Sequence, residues 1–247
     1  SEIAAPGSDG SPWKEGGCYV ITGGGGSLGM ELARWILSRV RTVSLILLGR
    51  SPLDSERELH LQEMTRDGVQ IEYRRLSVED ASEVDALLLE LTTRAAVDGI
   101  VHAAGVLRDG YLIRKRSEDL RAVLRPKVLG LHHLYSAARR HGVGFLALFA
   151  STSGAFGNAG QCDYAAANGY MDGFARAMAG HLEGPRVVSV DWPLWREGGM
   201  QMPPAQLAAM RERGIDVLDG RRGWPVLEAL LRAGPAQTAV LSGDPVR

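Results

Sequence analysis

The sequence predicts a doubly wound α/β fold: a single parallel sheet of about seven strands flanked by helices. Short apolar runs alternate with segments that are apolar at helical spacing, and a glycine-rich turn follows the first run. Several runs are apolar at every position, which is typical of strands buried on both faces of a parallel sheet. We find no internal repeat, and we therefore expect one domain.

The alternation of strands and helices runs through most of the chain. The predicted strands are residues 18–21, 43–48, 69–73, 99–102, 145–150, 187–190 and 238–241. The predicted helices are residues 30–37, 54–66, 80–96, 118–141, 163–181, 203–213 and 220–232. Pro126 should interrupt or restart the long fourth helix, because proline removes a backbone donor.

The amino-terminal stretch has a different composition. Residues 1–13 contain two Pro, two Gly and three Ser and have no apolar period, which predicts a linker or remnant followed by a domain over 14–247. The stretch is polar, which does not fit a secretory signal. Because the chain begins with Ser, we expect a piece of a longer protein or a tag remnant.

Composition excludes several classes of function. The chain has 247 residues, 45% hydrophobic and 23% charged, and a net charge of −1. A nucleic-acid or anionic-membrane partner is not expected at this charge, and no run approaches the roughly 20 apolar residues of a membrane span. Cys18 and Cys162 form neither a disulfide framework nor metal-ligand spacing with the histidines. We expect no metal and a reducing, cytoplasmic setting.

The turn after the first strand predicts a dinucleotide-binding loop. Its glycines fit the G-x-G-x-x-G pattern between a strand and a helix, where they permit a tight turn and close approach of a pyrophosphate to the helix N-terminus. The candidate cofactor-binding residues here are Thr22, Gly24, Gly26, Ser27, Leu28 and Gly29.

Arg50 follows the second strand and bears on which cofactor binds. An acidic residue there would hold the ribose 2′-hydroxyl of NAD, whereas an arginine suits the 2′-phosphate of NADP. The alternative is an exposed arginine in a turn. We expect NADPH, with small residues after the fourth strand that let a flat ring lie against the backbone. Further candidate contacts are Ala103, Ala104 and Gly105.

Three polar side chains follow the fifth strand. Ser151 ends an apolar run, which places it at the carboxyl edge where ligands bind in open α/β sheets. Tyr164 and Asn168 are four positions apart in an alanine-rich stretch, so they project from one helix face. The alternative is that all three satisfy local hydrogen bonds.

These motifs together resemble the short-chain dehydrogenase/reductase superfamily and its Rossmann fold. Further segments resemble the ketoreductase domains of modular polyketide synthases. One of them, Asp191–Met200, resembles domains from synthases whose acyltransferase acts in trans. The likeness covers residues of about 14 to 247. The segments that carry it are Thr22–Gly29, His102–Gly105, Gly105–Gly110, Arg125–Val128, Gly157–Gln161, Tyr164–Asn168 and Asp191–Met200.

The resemblance implies a catalytic set. Most superfamily members carry a lysine four positions after the tyrosine, where this chain has Asn168; polyketide ketoreductases supply the lysine from the preceding helix, and Lys127 matches that position. Tyr164 is the expected general acid, and Ser151 is the second donor to the oxyanion. Lys127, together with the positive nicotinamide ring of the oxidised cofactor, is expected to lower the pKa of the phenol. Asn168 is expected to orient Lys127 or a water.

The resemblance also implies cofactor contacts at Ser51, Ser77, Val78 and Pro193. Two positions depart from the family pattern. Ser77 stands where an aspartate usually holds the adenine, which predicts weaker cofactor binding. Ser27 replaces a frequent glycine, a change that is tolerated if its φ stays negative. Complete ketoreductases of this family resemble two such folds in tandem, so a structural subdomain and other synthase domains are expected partners.

The resemblance also implies the substrate, a β-ketoacyl chain tethered by phosphopantetheine to an acyl carrier protein. Asp109 matches the last aspartate of a signature of D-type products, and Phe156 stands where L-type members often have tryptophan. With Gln161, these are the candidate stereocontrol residues; the alternative for Asp109 is a helix cap. Arg114–Arg116 is a candidate carrier-docking patch or a solvated face. Met200–Arg213 is a candidate lid or an ordinary loop.

We therefore expect NADPH-dependent reduction of a carrier-bound β-ketoacyl group in polyketide biosynthesis. A free-standing 3-oxoacyl carrier-protein reductase is the first alternative, and Asn168 in place of lysine disfavours it. A reduction-incompetent scaffold or epimerising module is the second. The presence of all four candidate catalytic residues disfavours that alternative.

Overall fold

Seven parallel strands form one sheet in the order β3-β2-β1-β4-β5-β6-β7, which confirms the predicted fold. The structure is a computed structural model that describes residues 10–198 and 202–244. The strands are β1 Gly17–Thr22, β2 Val43–Gly49, β3 Val69–Arg75, β4 Gly99–His102, β5 Phe145–Ser151, β6 Arg186–Trp192 and β7 Gln237–Ala239.

Helices cover both faces of this sheet. They are α1 Ser27–Arg39, α2 Ser55–Met64, α3 Ala81–Arg94, α4 Ser117–Arg140, α5 Thr152–Phe156, α6 Cys162–Met178, α7 Pro204–Glu212 and α8 Gly220–Ala233, with a 3₁₀ turn at Leu112–Arg114. Successive strands are added on one side of β1 as far as β3 and on the other side from β4 to β7, so the strand order reverses between β1 and β4. Ligands of such folds bind at this switch point, beyond the carboxyl ends of the strands.

Two apolar cores hold the helices to the sheet. On one face, Leu32 and Ile36 of α1 pack with Leu227 of α8 against β1 and β2. On the other face, Leu88 of α3 and Leu131 of α4 are among the buried residues of a second core. Within the described residues, no helix is long and apolar enough to cross a membrane.

The predicted interruption at Pro126 is wrong, because α4 is one continuous helix over Ser117–Arg140. Pro126 is buried within it, as are Val123 and Leu131 on the same helix. A proline inside a helix costs about 3 kcal/mol, and the packing of this buried face on the sheet outweighs that cost.

The folded region begins earlier than predicted. Trp13 is 3% exposed and belongs to the core. Its ring meets Tyr19 edge-on at 5.1 Å, and its Nε1 donates to Glu228 Oε1 at 3.1 Å. The predicted linker 1–13 therefore extends too far at its carboxyl end, and residues 1–9 lie outside the described part.

Candidate active site

A cavity of about 1060 Å³ opens at the carboxyl edge of the central strands. Its wall combines the ends of β4, β5 and β6 with the start of α6 and with α7. The predicted residues among those that line it are Leu28, Ala103, Gly105, Asp109, Lys127, Ser151, Gln161, Tyr164 and Pro193. The structure thus brings together most of the predicted catalytic and substrate residues from segments far apart in sequence.

The glycine loop is shaped by close backbone packing. A Cβ at Gly24 would lie 2.6 Å from the Cβ of Leu47, and one at Gly29 would lie 2.6 Å from the carbonyl oxygen of Gly23. Gly26 caps α1, and its own Cβ would meet only the Gly23 carbonyl oxygen, at 3.2 Å. This leaves one side of the loop open to a pyrophosphate at the helix N-terminus. No described non-glycine residue has positive φ, so the expectation for Ser27 is confirmed.

A buried histidine connects the end of β1 to α4, the helix that carries Lys127. This residue, His102, was assigned no role from the sequence. His102 Nε2 lies 3.0 Å from the Pro126 carbonyl oxygen and therefore donates to it, which leaves Nδ1 to accept from the Thr22 hydroxyl at 2.7 Å. Thr22 Oγ1 also accepts from the Ala104 amide. Burial and the nearby Lys127 lower the pKa of His102 to about 3.

His102 makes the fold sensitive to acid. An unfolded histidine has a pKa near 6.5, so between pH 6.5 and about pH 3 the unfolded chain binds a proton that the folded chain does not. Stability contributed by neutral His102 is complete above that window and is lost as the pH falls through it, by about 2 kcal/mol at pH 5. In urea unfolding, His102→Gln should lose less stability between pH 7 and pH 5 than the unsubstituted chain; an equal loss would contradict this assignment.

Lys127, Ser151 and Tyr164 surround the cavity floor. The Lys127 amine is buried, donates to the Phe149 carbonyl oxygen at 2.8 Å, and lies 5.6 Å from the centre of the Tyr164 ring. Ser151 caps α5 by accepting from the Ser153 amide at 3.2 Å. The Ser151 hydroxyl is the acceptor in this contact, so its proton remains available to donate to another group.

Asn168 is fully buried one turn beyond the tyrosine. Its Nδ2 donates to the Tyr164 carbonyl oxygen at 2.7 Å, while its Oδ1 has no hydrogen-bond partner among the described residues. A buried amide oxygen normally has a partner, so Oδ1 is a site for a water or an ammonium. The predicted contact between Asn168 and Lys127 is not formed in this structure.

Burial has the largest effect on the pKa of the Tyr164 phenol. It raises this pKa, and the neighbouring Asn168 and Ser151 side chains oppose the shift. The Lys127 amine lies over the Tyr164 ring and donates to the Phe149 carbonyl oxygen. Burial also lowers the pKa of Lys127 to about 8, against the opposing charge of Asp172.

Two buried aspartates behind Lys127 were missed by sequence reasoning. Asp172 accepts from the Ser189 hydroxyl at 2.7 Å, and Asp191 accepts from the Gln237 amide at 2.9 Å. Burial and contact with Asp172 raise the pKa of Asp191. Asp172 lies eight positions after Tyr164 on α6, and this helical spacing could have indicated that the two residues lie near the same face of the helix.

The predicted adenosine end of the site lies along β2 and β3. Arg50 pairs with Glu79 at 3.5 Å, and Glu79 also pairs with Arg125 at 2.8 Å. Val78 is buried, whereas Ser77 uses its amide to bind Glu83 and its hydroxyl to accept from the Glu79 amide. The Ser51 carbonyl accepts from Tyr73. Arg125 and Glu79 were not among the predicted residues.

Of the predicted stereocontrol residues, Asp109 and Gln161 line the cavity and bind each other, with Gln161 Nε2 donating at 3.0 Å. The described helices begin elsewhere, so the helix-cap alternative for Asp109 is wrong. Phe156 lies at the end of α5, is 67% exposed, and is not among the residues that line the cavity.

The predicted lid and docking patch differ in outcome. The segment predicted as a lid does border the cavity: its lining includes Ala209 and Met210 of α7, and Met202 just before that helix. Met200 lies outside the described residues. The patch Arg114–Arg116 is not wholly a surface feature, because the side chain of Lys115 is 2% exposed and pairs with Asp163.

Comparison with known proteins agrees with this geometry. The family model of the KR domain matches residues 17–197. Polyketide synthase PksL of Bacillus subtilis is 40% identical over 239 residues, covering 94% of this chain and 5% of PksL. Polyketide synthase ThaG of Burkholderia thailandensis is 38% identical over 244 residues, covering 95% of this chain and 4% of ThaG.

A solved structure is also similar. A ketoreductase domain from the bacillaene assembly line superposes with a TM-score of 0.90 at 36% identity, covering 96% of this chain and 59% of that one. The fold and site define a reductase of the short-chain dehydrogenase type. The chain belongs to the ketoreductase (KR) domain family of polyketide synthases, and it spans about 5% of the length of the first curated relatives it matches.

Proposed function

We propose that this chain uses NADPH to reduce a β-ketoacyl group, carried on the phosphopantetheine of an acyl carrier protein, to the β-hydroxyacyl product. The observation that carries this proposal is the convergence of Ser151, Tyr164 and Lys127 on one cavity, next to the glycine loop at the switch point of the sheet. Membership of the KR domain family supports it.

The residues divide the reaction between binding the carbonyl oxygen and supplying a proton. Ser151 and Tyr164 each have a hydroxyl to donate to the ketone oxygen, where negative charge develops. Tyr164 then gives up its proton, and the buried ammonium of Lys127, near the ring, stabilises the resulting phenolate. The Asn168 oxygen has no hydrogen-bond partner among the described residues, so it can accept from a water that returns a proton to the site. When bound, NADPH supplies the hydride.

The described residues fit a phosphorylated dinucleotide. The glycine loop leaves its open side at the start of α1, and Arg50 is available beside the end of β2. Its pairing with Glu79 is long and half exposed, so a 2′-phosphate can replace that contact at little cost. The reducing, cytoplasmic setting proposed for this chain agrees with its two free cysteines.

Arg50→Gln tests the choice of cofactor. We expect the substitution to raise KM for NADPH about tenfold and to leave KM for NADH nearly unchanged, because only NADPH carries the 2′-phosphate. Arg139→Gln is the matched control, since Arg139 is about as exposed as Arg50 and pairs with Glu183 at the carboxyl end of α4. Equal effects on both cofactors, or none, would contradict the assignment of Arg50.

The product configuration is proposed to be D-type. Asp109 lines the cavity and is bound by Gln161, as a residue that orients the acyl chain would be. Other synthase domains, including a structural ketoreductase subdomain, are proposed partners because the curated relatives are far longer than this chain. A predominantly L alcohol in chiral chromatography would overturn the proposed configuration.

Consumption of NADPH in the presence of a β-ketoacyl thioester tests the function itself. We expect absorbance loss that depends on the thioester and yields the corresponding alcohol. A scaffold or epimerising module would show no net consumption, and that outcome would overturn the proposal. A free-standing carrier-protein reductase carries out the same chemistry, so its distinguishing property is full activity without any other synthase domain.

A further inference from the structure

Lys115 and Asp163 form a buried ion pair outside the predicted catalytic set. Their charged atoms are 2.5 Å apart, and the two side chains are 2% and 1% exposed. The Lys115 amine also donates to the carbonyl oxygen of Arg108. Asp163 uses its second oxygen to accept from the amide of Tyr164 at 2.9 Å. One lysine thus connects the segment after β4 to the start of the helix that carries the tyrosine.

The two connected segments form adjoining parts of the cavity wall. Residues 105–111 contribute Leu107 and Asp109 to the lining, and residues 157–163 contribute Asn158 and Gln161. They also meet through the Gln161–Asp109 hydrogen bond at 3.0 Å and through the Gly110 amide, which donates to the Gly160 carbonyl at 2.8 Å. Lys115 adds a cation to this set of contacts.

The segment after β4 has few other means of being held in place. It has no helix or strand between His102 and the 3₁₀ turn at Leu112–Arg114. Of its apolar side chains, Val106 and Leu107 are only half-buried, and Tyr111 is 68% exposed. Hydrophobic burial therefore fixes this wall only in part, and the ion pair adds a buried, directional contact.

A buried ion pair is a poor source of stability by itself. Desolvating the two charges offsets most of their attraction, and an apolar pair of similar size is often as stable. What an ion pair does supply is a defined geometry, because the charged atoms must meet within a narrow range of distance. A role in positioning therefore accounts for the pair better than a role in stability.

We propose that Lys115 is a positioning residue that fixes the wall bearing Asp109 and Gln161 relative to Tyr164, and thereby selects which face of the ketone is reduced. This inference rests on the proposed reductase function. Lys115 touches neither the substrate nor the reacting atoms. It acts through the Arg108 carbonyl on one wall and through Asp163, next to Tyr164, on the other.

The test compares Lys115→Met with Arg116→Met. Met matches the length of the lysine stem without its charge, and Arg116 is an adjacent exposed cation with a side chain 78% exposed. In Lys115→Met we expect the ratio of the two product configurations to fall about tenfold and KM for the β-ketoacyl thioester to rise, while KM for NADPH is unchanged. Arg116→Met should keep the ratio of the unsubstituted chain.

A second variant guards against simple unfolding. Lys115→Met leaves the Asp163 charge buried and unpaired, which can cost 3–5 kcal/mol, whereas Lys115→Met combined with Asp163→Leu removes both charges. The double variant should fold and should show the same fall in the ratio of the two product configurations. A ratio equal to that of the unsubstituted chain in either folded variant overturns the inference.

Failure of the inference is distinguishable from failure of the reductase function. If the unsubstituted chain reduces no β-ketoacyl thioester, the proposed function falls. Hydrogen exchange then tests the positioning role without activity: the Gly110 amide should exchange faster in Lys115→Met than in Arg116→Met. Equal exchange in the two variants would show that Lys115 does not hold this wall.

Discussion

Tyr164→Phe is expected to abolish ketone reduction while cofactor binding persists. The substitution removes the only hydroxyl proposed to donate its proton, and general acid catalysis is worth about 10²–10⁴-fold in rate. The ring remains to fill its nearly buried site, so the fold should change little. Steady-state rates with a β-ketoacyl thioester measure the first effect, and titration of the cofactor by fluorescence measures the second.

Tyr170→Phe is the matched control for this substitution. Tyr170 lies on the same helix six residues later, is 40% exposed, and binds His132 away from the cavity. Its loss of a hydroxyl should leave the rate nearly unchanged. Undiminished turnover in Tyr164→Phe, or an equal loss in both variants, would contradict the assignment of the general acid.

Lys127→Met is expected to lower the rate at least as strongly, by about 10²-fold or more. Substitution removes the buried ammonium that lies 5.6 Å from the centre of the Tyr164 ring, and with it the charge that stabilises the developing phenolate. Methionine fills a similar volume and packs beside Met171. Lys14→Met, which removes an exposed lysine paired with Asp98, is the control and should be nearly silent.

The same lysine gives a pH dependence with a defined sign. With a pKa of about 8 it is charged below that pH and neutral above it, so kcat/KM should fall as the pH rises beyond about 8. Asp172 raises the pKa of Lys127, and Asp172→Asn should therefore move this fall to lower pH. If kcat/KM falls over the same pH range in Asp172→Asn as in the unsubstituted chain, a group other than Lys127 titrates there.

Sequence reasoning predicted the sheet and its active edge because these depend on local patterns. A largely apolar run such as Val43–Leu48 is typical of a strand buried on both faces of a parallel sheet. Where such runs end, the parallel topology brings Ser151 and the glycine loop to one edge. The helical spacing of Tyr164 and Asn168 then places both on α6.

Features that depend on tertiary partners were predicted less well. Nothing near Pro126 in the sequence shows that a core buries it, or that His102 binds its carbonyl. Lys115 sits between two arginines in sequence, so the prediction of a basic surface missed the distant Asp163 that pairs with it. Trp13 likewise packs on residues far along the chain, including Glu228, although its neighbours have the composition of a linker.

The resemblance to polyketide ketoreductases identified the lysine that local reasoning would have left on the surface. Its orientation was beyond that comparison. The amine lies 5.6 Å from the centre of the Tyr164 ring and at the same time donates to the Phe149 carbonyl oxygen at 2.8 Å. Burial has the largest effect on the pKa of Tyr164 in this structure, and the lowering of that pKa by Lys127 and the oxidised nicotinamide stays a prediction.

Intact mass measurement of an acyl carrier protein tests the central claim most directly. The carrier is loaded with a β-ketoacyl phosphopantetheine and incubated with this chain and NADPH. We predict a gain in mass of two hydrogens on the acyl group with the unsubstituted chain and none with Tyr164→Phe. An unchanged mass with the unsubstituted, folded and cofactor-bound chain would contradict the proposed reduction.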